Sequence, residues 1–121
     1  MSRRVLVIDD ADEFRDLLRL TLKFSGYDVT PAAHGLAGLE ACRAGSFDLI
    51  ITDFDMPVMN GLDFIRHYRA EFGTATPILL LTAEQSEAIE RALATGASGY
   101  LAKPFSPVQL TTIVKQHLGS S

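Results

Sequence analysis

The sequence has little cysteine, no excess of basic charge and no long apolar run. One cysteine, Cys42, stands among 121 residues, so an internal disulfide is excluded and a reducing cytoplasm is the simplest expectation. No apolar run approaches the roughly 20 residues that a membrane-spanning helix needs. The N-terminus, MSRRVLVIDD, has a short apolar run that ends in acids and is not a signal peptide. We therefore predict a cytoplasmic protein that has no membrane partner.

Basic side chains are fewer than acidic ones, 11 against 15, and the net charge is -4. Nucleic acids and anionic membranes both attract basic patches, so we predict no direct nucleic-acid binding by this chain.

The length fits one domain of common size. No linker or low-complexity segment divides the chain. We predict a single domain over residues 1–121.

Five short apolar runs alternate with five segments of helical pattern. Most of the runs are continuous, which is typical of strands covered on both faces. A closed barrel needs eight such units, so the pattern predicts an α/β fold with one open, five-stranded parallel sheet and five helices on both faces. We adopt the strand order 2-1-3-4-5 of doubly wound sheets, which puts the strand containing Pro31 at an edge. The predicted strands are 5–8, 27–32, 49–52, 78–82 and 99–102.

Helical spacing also predicts which apolar residues face the sheet. The first segment offers Leu17 and Leu18, the second Leu36 and Leu39, and the fourth Leu93, among others. We expect all of them to face inward. In the fifth segment, Ser106 is a suitable N-cap, and Pro107 suits the first helical position.

Side chains that carry a carboxylate, a hydroxyl or an ammonium group lie at or after the ends of four of the predicted strands. In open α/β sheets, ligands bind beyond the carboxyl ends of the strands, so we expect these side chains to converge on one crevice. They are Asp9 and Asp10 after the first strand, Asp53 and Asp55 at the third, Thr82 and Glu84 at the fourth, and Lys103 after the fifth.

Such a group of carboxylates calls for a cation, because close carboxylates cannot all stay ionised alone. Mg²⁺ fits best, since it prefers oxygen ligands and often acts beside phosphate oxygens. An aspartate can serve as nucleophile and form an aspartyl phosphate, and Asp53 is the central candidate. Lys103 and Thr82 offer an ammonium and a hydroxyl to the oxygens of a transferring phosphoryl group.

These segments, in this order, resemble the receiver domain of bacterial two-component response regulators, including the chemotaxis regulators. The resemblance covers about residues 4–118 and implies a flavodoxin-like receiver fold. It rests on the acidic pair Asp9-Asp10, ITDFDMPVMNG at 51–61, LLLTA at 79–83 and YLAKPF at 100–105.

The resemblance implies a role for each site residue. Asp53 would accept a phosphoryl group from the phosphohistidine of a histidine kinase or a phosphotransfer protein, and Thr82 and Lys103 would contact it. The implied Mg²⁺ ligands are Asp9, Asp10, Asp53 and the backbone carbonyl of Asp55.

The resemblance also implies a switch. Thr82 and Tyr100 would move after phosphorylation and change the face of helix four, strand five and helix five for an unknown downstream protein. Asp55 and Glu84 would tune the phosphate lifetime, and Asp55 departs from the asparagine of the best-known chemotaxis members. The family usually has a cis peptide at the position of Lys103-Pro104.

Other interpretations exist for the same residues. Asp9 and Asp10 could cap the first helix, Lys103 could be solvated, and Tyr100 could be a packed aromatic residue. The DFD of residues 53–55 is similar to the nucleophile motif of haloacid-dehalogenase phosphatases, but there it follows the first strand. A flavodoxin-like cofactor site is disfavoured because DDADE at 9–13 would repel an anionic cofactor.

We therefore predict a signalling switch, which is no enzyme beyond its own phosphorylation and dephosphorylation. The sequence leaves two forms open, a stand-alone receiver and the N-terminal receiver of a longer regulator with an output domain.

Overall fold

Strands and helices alternate along the chain, as the apolar pattern predicts. The computed structural model describes residues 2–83 and 86–118. Its elements are β1 (Arg4–Ile8), α1 (Asp12–Phe24), β2 (Asp28–Ala32), α2 (Gly35–Ala44), β3 (Leu49–Asp53), α3 (Gly61–Phe72), β4 (Ile78–Thr82), α4 (Ser86–Thr95), β5 (Gly99–Ala102) and α5 (Pro107–Leu118).

The sheet is parallel throughout and has the order β2-β1-β3-β4-β5. The predicted fold is therefore confirmed. Pro31 lies on the edge strand β2, in register with Val7 of β1. The central strands β3 and β4 are buried along their whole length. Their carboxyl ends lie side by side, with Asp53 in register with Leu81, so the side chains that follow the strands share one edge of the sheet.

Successive residues of each central strand face opposite sides of the sheet and build two apolar clusters. On one side Leu6, Ile50 and Leu80 pack with residues of α2, α3 and α4. On the other side, Val7 and Ile51 are among the strand residues that pack with α1 and α5. Burying one such side chain contributes roughly 1.5–3 kcal/mol, so both layers of helices are held firmly to the sheet.

Three of the predicted inward leucines face solvent instead. Leu17, Leu36 and Leu93 are 56%, 51% and 43% exposed. Adjacent helix residues point about 100° apart, so α1 cannot bury both Leu17 and Leu18, and it buries Leu18 with Leu22.

In α2 a glycine, Gly38, lies against the sheet. A Cβ at Gly38 would lie 2.5 Å from the Cδ1 atom of Ile8, so glycine allows the helix to approach the strand closely. The buried stripe of α2 is therefore Gly35, Gly38 and Leu39, and Leu36 lies beside it.

Side chains cap the starts of α3 and α5. Asn60 and Asp63 form a reciprocal capping box at α3. At α5, the Ser106 hydroxyl accepts from the Gln109 backbone N–H at 3.1 Å, and the Gln109 side chain accepts from the Ser106 N–H at 2.7 Å. The predicted cap at Ser106 is confirmed.

The guanidinium of Arg69 joins the ends of two helices. It donates to the carbonyl of Gly73 after α3 at 3.1 Å, to that of Gly96 after α4 at 2.8 Å, and to that of Thr76 before β4 at 2.7 Å. Helix carbonyls at a C-terminus have no partner inside the helix, and here one side chain supplies partners at both termini.

In residues 2–83 and 86–118, no helix has the length and apolar character needed to span a membrane.

Candidate functional site

Three aspartates meet at the carboxyl ends of β1 and β3. Carboxylate oxygens of Asp9, Asp10 and Asp53 all lie within 4.8 Å of one another. Asp9 and Asp53 are 1% and 5% exposed, and Asp10 faces solvent. The sequence prediction that these three residues converge is confirmed in position. Through Asp10, the cluster is accessible from solvent.

Hydrogen bonds fix the backbone and the side chain of Asp9. Its N–H donates to the carbonyl of Ala32 at 3.1 Å, and its Oδ1 accepts from the N–H of Ala11 at 2.9 Å. Within the described part of the chain, its Oδ2 atom is buried and has no hydrogen-bond partner. An unpartnered buried carboxylate oxygen is costly. A hard divalent cation is the ligand that this oxygen and its neighbours suit.

Asp53 ends β3 and forms an ion pair with Lys103. The Nζ atom of Lys103 donates to Oδ1 of Asp53 at 2.6 Å. Burial raises the pKa of the Asp53 carboxyl, the Lys103 ammonium opposes this rise, and the carboxylates of Asp55 and Asp10 add to it. Burial likewise raises the pKa of Asp9, and the Asp53 carboxylate adds to that rise. The cluster therefore holds more negative charge than Lys103 alone neutralises.

The main chain of the β5–α5 loop fixes Lys103. Its N–H donates to the carbonyl of Thr82 at 2.9 Å, and its peptide bond to Pro104 is cis. The Nζ atom lies 4.8 Å from the centre of the Phe14 ring, and that ring meets Phe105 edge to face at 5.8 Å. Lys103 is thus oriented by its backbone at one end and by an aromatic face and a carboxylate at the other.

The β3–α3 loop returns the chain to the end of β3. The N–H of Phe54 donates to the carbonyl of Leu81, and the N–H of Gly61 donates to the carbonyl of Phe54. A Cβ at Gly61 would lie 2.6 Å from the backbone oxygen of Asp53, so only glycine allows this approach. Between Phe54 and Gly61 the loop makes a tight turn at Val58, whose φ is 68°.

The other predicted site residues lie around the cluster. Thr82 ends β4 and is 1% exposed. Asp55 is exposed and is not one of the three clustered carboxylates. Tyr100 lies on β5 in register with Leu80, and its side chain is 43% exposed. Glu84 lies outside the described residues.

Two residues at the site were not predicted from the sequence. The Phe14 ring faces Lys103, a contact for which the sequence carries no signal. Arg15 donates from Nη1 to the backbone carbonyl of Asp9 at 2.7 Å. The spacing of Asp12 and Arg15 at i and i+3 was a visible signal for an ion pair, but no sequence pattern indicates the bond to Asp9.

The sequence and the fold both have known counterparts. A sequence model described as the response regulator receiver domain matches residues 5–115. The chain is 35% identical over 119 residues to the DNA-binding response regulator MtrA of Mycobacterium tuberculosis and to that of Mycobacterium leprae. That alignment covers 98% of this chain, which spans about half the length of these curated relatives, 51% and 52%.

Two solved structures are close in shape. Chemotaxis protein CheY4 of Vibrio cholerae has a TM-score of 0.93 and 38% identity, over 98% of this chain and 100% of that one. The receiver domain of the sensor histidine kinase PA1611 of Pseudomonas aeruginosa has a TM-score of 0.88 and 32% identity, over 99% and 100% of the two chains. The PA1611 structure has a magnesium ion coordinated in its active-site cleft.

Proposed function

This chain belongs to the response regulator receiver domain family of bacterial two-component signal transduction, and on that premise we propose that it is a phosphoryl-accepting switch with Asp53 as acceptor. The observation that carries the proposal is the setting of Asp53. Its carboxylate is buried at a strand end, beside two further aspartates, and Lys103 holds it at 2.6 Å. These contacts support a proposed nucleophile, a charge-neutralising lysine and a proposed cation site in one place.

The proposed donor is the phosphohistidine of a histidine kinase or a phosphotransfer protein. An oxygen of Asp53 attacks the phosphorus, an O–P bond forms, and the N–P bond of the phosphohistidine breaks with its electron pair left on the imidazole nitrogen. Lys103 is near enough to Asp53 to pass from the carboxylate to an oxygen of the new phosphoryl group. Thr82, buried at the end of the neighbouring strand, is proposed to supply its hydroxyl to another.

Mg²⁺ is the proposed cofactor. Asp9, Asp10 and Asp53 would hold it, together with the backbone carbonyl of Asp55. The unpartnered Oδ2 atom of Asp9 and the purely oxygen donor set fit this ion, and the similar PA1611 receiver has magnesium in its cleft. When bound, the ion neutralises negative charge on the carboxylates and on the phosphoryl oxygens.

The proposed output is a population shift. The phosphoryl group can bias the conformation only through contacts that differ between the two states. Thr82 and Tyr100 are the proposed switch residues, and the exposed ring of Tyr100 has room to turn. The face of α4, β5 and α5 would then bind a downstream protein. Asp55 and Glu84 are proposed to tune the phosphate lifetime.

We propose that this switch acts in the cytoplasm and catalyses only its own phosphorylation and dephosphorylation. The length of the MtrA relatives favours a second form of the proposal, in which the chain is the receiver part of a longer regulator. DNA binding would then belong to the additional part of that regulator.

Intact mass after incubation with acetyl phosphate and Mg²⁺ tests the acceptor. We expect the mass of one phosphoryl group to be added to the wild type and to Asp28→Asn, a matched control at an exposed position at the opposite end of the sheet. Asp53→Asn and a chelated sample should gain nothing. Equal labelling of Asp53→Asn and the wild type would refute Asp53 as acceptor, and no labelling of the wild type by any small donor would refute the switch.

A further inference from the structure

Arg15 connects the start of α1 to the buried aspartate of the cluster. Its Nη1 atom donates to the backbone carbonyl of Asp9 at 2.7 Å, and its Nη2 atom donates to Oδ1 of Asp12 at 2.6 Å. The Arg15 side chain is 17% exposed, whereas that of Asp12 is 86% exposed. The bond to Asp9 is thus largely shielded from solvent, and Asp12 fixes the guanidinium from its outer side.

With this contact, the carbonyl, the N–H and Oδ1 of Asp9 all have partners. The Arg15 guanidinium holds the carbonyl, the Ala32 carbonyl accepts from the N–H, and the Ala11 N–H donates to Oδ1. Only Oδ2 remains, buried in the acidic cluster. The orientation of that oxygen therefore depends on three contacts, and the partner is a backbone group in two of them and the Arg15 side chain in the third.

We propose that Arg15 is a positioning residue for the cation site: it fixes the main chain of Asp9 so that Oδ2 faces the cluster, and so raises the affinity for Mg²⁺. This inference rests on the proposed function, because it assumes that the cluster binds Mg²⁺. Hydrogen-bond partners of metal ligands typically change metal affinity by about 10- to 100-fold when they are removed. The guanidinium suits the task, because its donors are fixed in one rigid plane, whereas those of a lysine ammonium rotate at the end of a flexible chain.

Charge alone predicts the opposite result. A guanidinium that is bonded to the carbonyl of Asp9 repels a second cation, so its removal should strengthen Mg²⁺ binding if Coulomb repulsion dominates. If positioning dominates, removal should weaken Mg²⁺ binding. The two explanations differ in sign, which makes the measurement decisive.

The experiment is isothermal titration of the metal-free protein with Mg²⁺. We expect Arg15→Met and Arg15→Lys to bind about tenfold more weakly than the wild type, although Arg15→Lys keeps the charge. The matched control is Arg19→Met, which removes an arginine of the same helix that pairs at i,i+3 with Asp16 at 3.5 Å. It should bind Mg²⁺ within about twofold of the wild type, as expected for an exposed ion pair.

A kinetic readout separates positioning from general damage to the fold. With acetyl phosphate, Arg15→Met should need about tenfold more Mg²⁺ for half-maximal phosphorylation and should reach the wild-type rate at saturating Mg²⁺. A lower rate at saturation with an unchanged Mg²⁺ requirement would overturn the inference.

The outcomes also separate this inference from the proposed function. If the wild type binds Mg²⁺ and Arg15→Met binds it equally or more tightly, Arg15 has no positioning role and the metal site stands. If the wild type binds no Mg²⁺, both the metal site and the role of Arg15 are wrong. If Arg15→Met does not fold, Arg15→Lys gives the same comparison with the charge retained.

Discussion

The ammonium of Lys103 lies 4.8 Å from the centre of the Phe14 ring while it donates to Asp53 at 2.6 Å. A cation over an aromatic face is attracted by the negative face of the ring. Phe105 meets the same ring edge to face at 5.8 Å and limits its rotation. α1 and the β5–α5 loop therefore jointly fix the position of the lysine at the proposed phosphorylation site.

Phe14→Leu should slow phosphorylation of Asp53 by acetyl phosphate. Leucine keeps the apolar contact but lacks the aromatic face, whose attraction is worth roughly 0.5–1 kcal/mol, or a two- to fivefold change in rate. Phe14→Tyr should keep the wild-type rate because it keeps the ring. Phe24→Leu is the control, since it makes the same change on the same helix at a ring that is 88% exposed. Equal rates for Phe14→Leu and the wild type would show that the ring does not orient Lys103.

Asp9→Asn should stabilise the metal-free protein. Burial raises the pKa of Asp9 above its ordinary 3.8, and the Asp53 carboxylate adds to that rise. The folded state therefore binds more protons than the unfolded state just above pH 3.8, and the stability of the wild type falls as the pH rises through the raised pKa. At pH 7 the amide avoids this cost, and we expect a higher free energy of unfolding for the variant than for the wild type.

Urea denaturation with a chelator and with millimolar Mg²⁺ tests this prediction. The chelated Asp9→Asn protein should have the higher midpoint, and Mg²⁺ should raise the midpoint of the wild type more than that of the variant. A lower midpoint for the chelated variant would mean that the Asp9 carboxylate stabilises the fold, contrary to the pKa shift.

Val58→Gly should also stabilise the protein. Val58 has a φ of 68° in a turn closed by a 2.7 Å hydrogen bond from the N–H of Met59 to the carbonyl of Pro57. A γ-turn with positive φ is strained for any residue that has a Cβ atom. The side chain is fully exposed, so glycine relieves the strain without loss of packing. We expect a gain of about 1 kcal/mol in the free energy of unfolding.

Val58→Ala is the control for that prediction, because alanine keeps the Cβ atom that disfavours positive φ. Its free energy of unfolding should remain within about 0.5 kcal/mol of the wild type. If glycine and alanine give the same free energy of unfolding, the turn stores no strain at Val58.

Cys42 should react slowly with alkylating agents. Burial raises the pKa of the Cys42 thiol to about 11, and the Glu71 carboxylate adds to the rise. At pH 8 such a thiol has roughly a hundredfold less thiolate than one at the ordinary 9.0. The rate of iodoacetamide labelling, followed by intact mass, should rise about tenfold per pH unit from pH 8 to 10. The urea-unfolded chain is the control, and a plateau of the folded protein near pH 9 would contradict the raised pKa.

The fold was predictable because its signals are local. Continuous apolar strands, glycines at helix ends and the Ser106 cap each depend on a few neighbouring residues, and the strand order then brings Asp9, Asp10 and Asp53 together. The buried face of a helix was less predictable where close packing against a strand determines which residues are covered. Leu36 has the right spacing, but Gly38 lets α2 approach Ile8 closely and leaves Leu36 outside the contact.

The surroundings of the site could not be predicted for a similar reason. The contact of Phe14 with Lys103 joins α1 to a loop about 90 residues later in the chain, and the bond from Arg15 ends on a backbone carbonyl. Main-chain acceptors have no sequence signature, because every residue carries one. Such contacts appear only when the distances between elements are known.

The hydrogen bonds of Arg69 also restrict how the proposed output face of α4, β5 and α5 can respond. Its guanidinium donates to the carbonyl of Gly96 at the carboxyl end of α4 and also to carbonyls after α3 and before β4. A sliding movement of α4 along the sheet would break the bonds to Gly96, because the carbonyls of Gly73 and Thr76 hold the Arg69 side chain in place. We therefore expect α4 to rotate about its carboxyl end near Gly96. The largest displacement should occur at its amino end, which follows the strand that ends at Thr82.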